Sequence, residues 1–97
     1  MVRQLINDHG NAAANQFVIS TNKAVYFQSY RSVVAKVNNN GKLTLAADWD
    51  YSNTTRKHLY IFLRSYGFGH LCSAKDMRKA IADKEVTLLK VDSMPIK

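Results

Sequence analysis

The spacing of the apolar residues changes at Trp49, and this change divides the chain into two kinds of secondary structure. Before Trp49, apolar residues alternate with polar ones in short runs, which is the period of β-strands. After Trp49 they recur at intervals of three and four residues, which is the period of an amphipathic helix. Because 97 residues suffice for one hydrophobic core but not for two, the sequence predicts a single compact domain over residues 1–97.

The clearest strand signal is the pair Asn40-Gly41, which lies between alternating segments at residues 32–37 and 42–46. Asn and Gly tolerate positive φ and therefore suit the tight turn of a β-hairpin. The pattern predicts such a hairpin, with apolar residues facing one another on one side and polar residues on the other. The predicted apolar face comprises Val33, Ala35, Val37, Leu43 and Leu45, and the polar face comprises Lys36, Lys42 and Thr44.

Further strands are predicted on both sides of this hairpin. Residues 17–19 and 24–30 are rich in β-branched and aromatic residues and are separated by a turn at residues 21–23. Residues 1–15 are predicted to be either poorly ordered or to include an edge strand from Val2 to Ile6, with residues 12–15 as a loop. A last strand is predicted at residues 86–91.

Two helices are predicted in the second half. In the first, Leu59, Phe62, Leu63 and Tyr66 form the buried stripe, and Gly67 ends the helix as a residue that turns left-handed easily. Its N-cap is predicted at Ser52, Asn53 or Thr54. The second helix is predicted from Ala74 to about Lys84, after a sequence resembling a capping box, and it buries Met77, Ala80 and Ile81. The predicted fold class is therefore α+β: an antiparallel β-sheet of three to five strands with two helices packed on it.

The chain is strongly basic, with 14 Lys and Arg against seven Asp and Glu, a net charge of +7 and a pI near 9.8. Such a surface attracts phosphates, acidic proteins and anionic lipids, although it also serves solubility alone. The predicted helices group cations and one aromatic ring on faces away from the buried stripes. These residues are Arg56, Lys57, Tyr60 and Arg64 on the first helix and Lys75, Arg78 and Lys79 on the second. They indicate either a site for nucleic acid or an acidic partner, or an ordinary solvated helix surface.

Aromatic and apolar residues outside this group allow two further interpretations. Tyr26, Phe27 and Tyr30 could form a stacking platform on the sheet or could cover a sheet edge and a helix. Ile61 lies nearly opposite Leu59 on the helical wheel. Either the first helix is covered on two sides, or Ile61 contacts another molecule, in which case it is the expected interface of a homodimer.

No arrangement of residues indicates an enzyme, a metal site or a cofactor. Asp50 and Ser52 are explained as helix-start residues, so together with Asp48 and His58 they do not predict a catalytic set. Neither His70 nor Cys72 belongs to a paired metal-ligand motif. The lone Cys72 indicates an intracellular protein, and no apolar run approaches the roughly 20 residues needed to span a membrane.

Two segments, FQSYRSVVA at residues 27–35 and WDYSNTTRKHL at residues 49–59, resemble small uncharacterised proteins of bacteriophages and prophages that share a WDYSxTTRKHL-like motif. The similarity covers residues 16–64. It implies a viral or prophage origin and an accessory role in the cytoplasm of an infected bacterium. The expected function is therefore non-enzymatic nucleic-acid binding through the basic helical faces. The alternative is an inhibitor or adaptor of a host defence protein, similar to an anti-CRISPR protein, that acts by protein contact.

Overall fold

The computed structural model describes residues 1–96 and contains a six-stranded sheet and two helices. The elements in chain order are β1 (Val2–Ile6), β2 (Ala12–Ser20), β3 (Ala24–Ser29), β4 (Ser32–Asn38), β5 (Leu43–Leu45), α1 (Asn53–Ser65), α2 (Ala74–Ala82) and β6 (Thr87–Leu88). The strands lie in the sheet in their chain order. All neighbours are antiparallel except β5 and β6, which are parallel. The protein is α+β as predicted, but the prediction of three to five strands was wrong.

The differences from the prediction occur at the two ends of the sheet, in the pairs β1–β2 and β5–β6. Residues 12–15 were predicted as a loop, yet they belong to β2, because Ala12 pairs with Ile6 of β1 and Gln16 pairs with Ser29 of β3. The register with β1 shifts between these pairs, and Asn15 adopts a positive φ of 62° in this bulge. The edge strand β1 is confirmed, and it pairs with β2. The predicted last strand is shorter than expected and consists of Thr87–Leu88 alone. It runs parallel to β5 because both helices lie between these two strands in the chain, which gives the long connection that parallel pairing requires.

The hairpin of β4 and β5 is confirmed in its register. Ala35 pairs with Leu45 and Val37 pairs with Leu43, and these four buried side chains belong to the main core. The prediction that Val33 lies on the same face was wrong, because the register of β3 and β4 shifts at this point and Val34, not Val33, joins the main core. Gly41 has a φ of +83°, and its N–H donates to the carbonyl oxygen of Asn38 at 2.9 Å. The glycine is thus the residue of the Asn-Gly pair that takes the left-handed conformation.

Both helices begin at serine caps and end where the backbone turns left-handed. The Ser52 side chain accepts a bond from the Thr55 N–H at 3.1 Å, and Ser73 accepts one from the Asp76 N–H at 3.1 Å. At the end of α1, Gly67 has a φ of +90° and the Phe68 N–H donates to the Leu63 carbonyl, as in a Schellman motif. The second helix ends at Ala82 rather than near Lys84.

The main core lies between the helices and the sheet. Leu59, Phe62 and Leu63 are buried as predicted, and the Phe62 ring packs against Phe27 of β3 with centroids 5.6 Å apart. Tyr66 is half-buried and contacts Phe62 at 4.9 Å between ring centroids. Of the two interpretations of Ile61, coverage of the helix on two sides is the correct one, because Ile61 is only 7% exposed and belongs to this core.

Ile61 is covered within the protein itself, because it belongs to the same buried cluster as Leu5 of β1. Asp8, in the turn between β1 and β2, forms an ion pair with Arg64. Arg64 lies three residues after Ile61 and therefore on a neighbouring part of the helix surface. The side chain of Ile61 is accordingly not available to a second copy of the chain.

The opposite face of the sheet is covered by the C-terminal segment, which we define as residues 89–94. The Leu89 N–H donates to the Leu45 carbonyl at 2.8 Å, and the Met94 N–H donates to the Val33 carbonyl at 2.9 Å. Met94 and Val33 form a second buried cluster there, which includes Tyr26. Tyr26 is only 1% exposed, so the hypothesis of a stacking platform that includes this ring was wrong.

Candidate nucleic-acid interface

Tyr60 of α1 lies close enough to α2 to feel the charges of Arg78 and Asp76. Its ring packs against the main core, and its hydroxyl is buried without a hydrogen-bond partner among residues 1–96. Burial raises the pKa of Tyr60, whereas the positive charges of Arg56 on α1 and Arg78 on α2 act in the opposite direction. Tyr60 therefore feels charges from both helices. We call Arg56, Lys57, Tyr60, Lys75, Arg78 and Lys79 the cationic surface.

Arg56 is held in place by neutral groups. Its guanidinium donates to the backbone carbonyl of Asp50 at 3.3 Å and to the side-chain oxygen of Asn53. Because neither acceptor is charged, the positive charge of Arg56 is oriented without being neutralised. Asp50 precedes the Ser52 cap and Asn53 follows it, so the segment that starts α1 also orients Arg56.

The three lysines of the cationic surface are exposed to solvent. Lys57 lies on α1, and Lys75 and Lys79 lie on α2. In the part of the chain that the structure describes, none of them forms an ion pair. Their flexible ammonium groups can therefore follow a phosphate or carboxylate on an approaching partner.

Arg78 connects α2 with the segment that precedes α1. Its guanidinium lies over the Trp49 ring, 5.9 Å from the centroid, and 3.5 Å from a carboxylate oxygen of Asp50. Both side chains of this ion pair are partly exposed, and exposed pairs of this kind contribute about 0–1 kcal/mol. The pair is therefore weak enough to open for a more strongly charged partner. The Trp49 ring fixes the direction of the guanidinium.

One carboxylate lies on α2 itself. Asp76 is partly exposed, and its charge acts on Tyr60. A hydrogen bond from the Ser73 hydroxyl lowers the pKa of Asp76, and a further bond from the Cys72 thiol at 3.4 Å acts in the same direction. Asp76 therefore remains ionised at neutral pH. The cationic surface thus has five cations, and its two carboxylates, Asp50 and Asp76, leave a local excess of positive charge.

Arg64 differs from the other predicted site residues because its contact is with the β1–β2 turn, outside the two helices. Its guanidinium forms an ion pair with Asp8, and both side chains are more than half exposed. The sequence did not predict this pair, because the position of the β1–β2 turn depends on how far the sheet extends. The positive charge of Arg64 is therefore partly offset from outside the two helices.

The sequence did not predict Trp49 and Asp50 as parts of this site. Asp50 was assigned to the start of α1, and Trp49 was given no role in a site, whereas each contacts Arg78 of α2. No local pattern links residues that are almost 30 positions apart in the chain. The pairing follows only from the tertiary structure, which brings α2 to the segment that precedes α1.

The structure adds no second type of site on these helices. His70 pairs with Glu85 at 2.7 Å, and the Cys72 thiol is exposed. Among residues 1–96 there is no group of three His, Cys, Asp or Glu side chains that could hold a metal ion. None of the helices in these residues is long and apolar enough to cross a membrane.

Comparison with protein families gives one match. A family model described as a family of unknown function (DUF8033) matches residues 1–84, which include both helices and all strands except β6. Comparisons with curated proteins and with solved structures found no match. Because the family model covers most of its length, the chain belongs to the DUF8033 family.

Proposed function

We propose that this protein is a non-enzymatic accessory protein of bacteriophage or prophage origin that binds nucleic acid through the cationic surface. The observation that carries the proposal is the grouping of Arg56 and Arg78 near Tyr60, together with three exposed lysines on the same two helices. The site of action would be the cytoplasm of the bacterial host.

The chemistry of these side chains suits a phosphate backbone. The guanidinium of Arg56 has its orientation set by the Asp50 carbonyl and by Asn53, so less conformational entropy is lost when it meets a phosphate. The lysines add charge that does not depend on a fixed geometry. Contacts of this kind give affinity and orientation but carry little sequence information.

The test is a binding titration with duplex DNA, single-stranded DNA and single-stranded RNA at several salt concentrations. A surface that engages about four phosphates on duplex DNA should give a slope of log affinity against log salt of about −3.6. The double variant Lys57→Glu/Lys79→Glu should weaken binding on the order of 100-fold at about 0.1 M salt and reduce the magnitude of the slope by about 2.

The matched control is Lys23→Glu/Lys42→Glu, which makes the same change in net charge, from +7 to +3. Lys23 and Lys42 are exposed residues in turns of the sheet, outside both helices. This control should retain most of the affinity of the unchanged protein. Equal losses in the two double variants would show that net charge alone governs binding, and lack of binding at low salt would overturn the proposal.

The alternative is an inhibitor or adaptor that contacts an acidic host protein, such as a component of a bacterial defence system. The observation that favours it is the exposed Arg78, which is oriented by Asp50, since arginine is a common anchor of protein interfaces. Recovery of an acidic bacterial protein in a pull-down, with binding lost in the helix variant and retained in the control, would support this function if nucleic acid does not bind.

A further inference from the structure

A cleft of about 480 Å³ opens beside the start of α1. Its walls come from the β3–β4 turn, from the segment that precedes α1, from the first turn of α1 and from the C-terminal segment. This volume is within the range of about 300–1,000 Å³ that is typical of ligand sites. The cleft shares none of its lining residues with the cationic surface.

Two tyrosines at this cleft are open to solvent. Tyr51 is 74% exposed and Tyr30 is 45% exposed, and both contribute to the lining. The large apolar surface of an exposed tyrosine ring can still be buried, and a ligand that covers the ring gains this free energy. Rings in such a position can stack on a planar ligand.

The backbone at Tyr30 is unfavourable for a tyrosine. Its φ is +56°, in the turn between Ser29 and Ser32, where glycine or asparagine would be expected. The turn is held in this conformation, because the Tyr30 N–H donates to the Asn15 carbonyl at 2.7 Å and the Tyr30 carbonyl accepts a bond from the Gln28 amide at 2.7 Å. Strain of this kind is often found at functional sites.

The polar groups of the cleft are two carboxylates, one cation and several hydroxyls. Asp48 accepts a bond from the Ser93 N–H at 3.2 Å through one oxygen, and Asp92 is exposed on the opposite wall. Ser29 and Thr55 also line the cleft, and their hydroxyls are hydrogen-bonded to each other at 2.9 Å. Arg31 is the cation of the lining. The carboxylates would repel a free phosphate inside the cleft, whereas they would accept bonds from amino hydrogens.

The cleft and the cationic surface meet at one point. Arg56 contacts the backbone carbonyl of Asp50, which is the neighbour in sequence of Tyr51. A strand whose phosphates lie against Arg56 would therefore bring its bases close to Tyr51. A guanidinium or ammonium group from a protein partner is less suited to the cleft, because Arg31 lines it and the protein as a whole has a charge of +7.

We propose that this cleft takes one unpaired nucleobase that carries an amino group. The base stacks on Tyr51 and Tyr30 and donates amino hydrogens to Asp48 or Asp92, while Arg31 and Arg56 contact the adjoining phosphates. This inference rests on the proposed nucleic-acid binding and adds to it a preference for single strands. Thymine and uracil lack an exocyclic amino group and are therefore the poorest occupants.

The test compares the binding of a single-stranded 15-nucleotide dT oligomer with that of oligomers in which one central residue is dA, dC or dG. The substituted oligomers should bind about tenfold more tightly, which is within the discrimination that hydrogen bonds to a base edge provide. Tyr51→Ala and Asp92→Asn should remove this preference, whereas Tyr51→Phe, which keeps the ring, should retain it. In each variant the affinity for all-dT and its salt dependence should change little.

Tyr30→Gly gives an independent readout. Because glycine adopts positive φ without strain, this variant should raise the melting temperature while it removes the preference for an amino-bearing base. A stable variant that loses the preference excludes misfolding as the cause.

The failure of this inference can be distinguished from that of the proposed function. If all oligomers bind equally and Lys57→Glu/Lys79→Glu still weakens them, the proposed function stands and the base site is overturned. If no oligomer binds at low salt, both are overturned. If instead arginine amide binds the protein and Tyr51→Ala abolishes this binding, the cleft is a site for a protein side chain and the base site is overturned.

Discussion

The two faces of the sheet are covered in different ways. The helix-facing side carries the larger core, in which Phe27 of the sheet meets Leu59 and Phe62 of α1. The opposite side has no helix in the described chain, and its smaller cluster is closed by Met94 of the C-terminal segment. The difference indicates that the helix-facing core supplies most of the free energy of folding, because buried apolar area largely determines that energy.

The same comparison separates the two proposed binding regions. The cationic surface lies on the outer sides of helices that the larger core holds in place. The cleft is lined by Asp92 of the C-terminal segment as well as by Thr55 of α1. Changes in the C-terminal segment should therefore affect base preference, whereas changes on the outer sides of the helices should affect salt-dependent binding.

The largest effect is expected from Phe62→Ala. Phe62 is fully buried and packs against both Phe27 and Tyr66, so its removal leaves a cavity between helix and sheet. We expect a loss of about 3–5 kcal/mol in the free energy of unfolding, measured by urea denaturation. Phe62→Leu, which keeps much of the apolar volume, should lose clearly less. A loss below about 1 kcal/mol for Phe62→Ala would contradict the assignment of the main core to this face.

A smaller effect is expected from Met94→Ala on the opposite face. Met94 is 4% exposed, and its cluster is small, so we expect a loss of about 2 kcal/mol, at the lower end of the range for such changes. The exposed Ile96 provides the control, and Ile96→Ala should change stability by less than about 0.5 kcal/mol. A loss for Met94→Ala as large as that for Phe62→Ala would show that the two faces contribute equally.

The elements that the sequence predicts well are those whose signals are local. The hairpin at Gly41, the cap at Ser52 and the stripe of Leu59, Phe62 and Leu63 each depend on residues that are close together in the chain. Their conformations are dictated by backbone preference and by apolar period. Tertiary packing confirms these preferences and does not change them.

The elements that the sequence does not predict depend on contacts between distant segments. Asn15 continues β2 only because its neighbours pair with β1 and β3, and Ile61 is buried although it lies outside the helical stripe. The pairs Arg64–Asp8 and Arg78–Asp50 likewise join different elements. The candidate site was therefore predicted as a set of cations on two helices, but their partners were not.

The smallest effect on the free energy of unfolding is expected from Gln16→Met. Gln16 is a buried polar residue on the helix-facing side of the sheet. Gln16 is fully buried opposite Ser29, and neither atom of its amide has a hydrogen-bond partner among the protein groups of residues 1–96. An unsatisfied buried polar group costs about 1–3 kcal/mol. Methionine is similar in size to glutamine and is apolar, so Gln16→Met should raise the free energy of unfolding by about 1 kcal/mol.

The control is Thr55→Val, which removes the hydrogen bond between the Thr55 and Ser29 hydroxyls at 2.9 Å. This variant should lower the free energy of unfolding by about 1–2 kcal/mol. Opposite signs for these two variants would show that the helix-facing core tolerates Gln16 at a cost. A loss of stability in Gln16→Met would show instead that a buried water satisfies the amide, and that polar groups help to hold the larger core together.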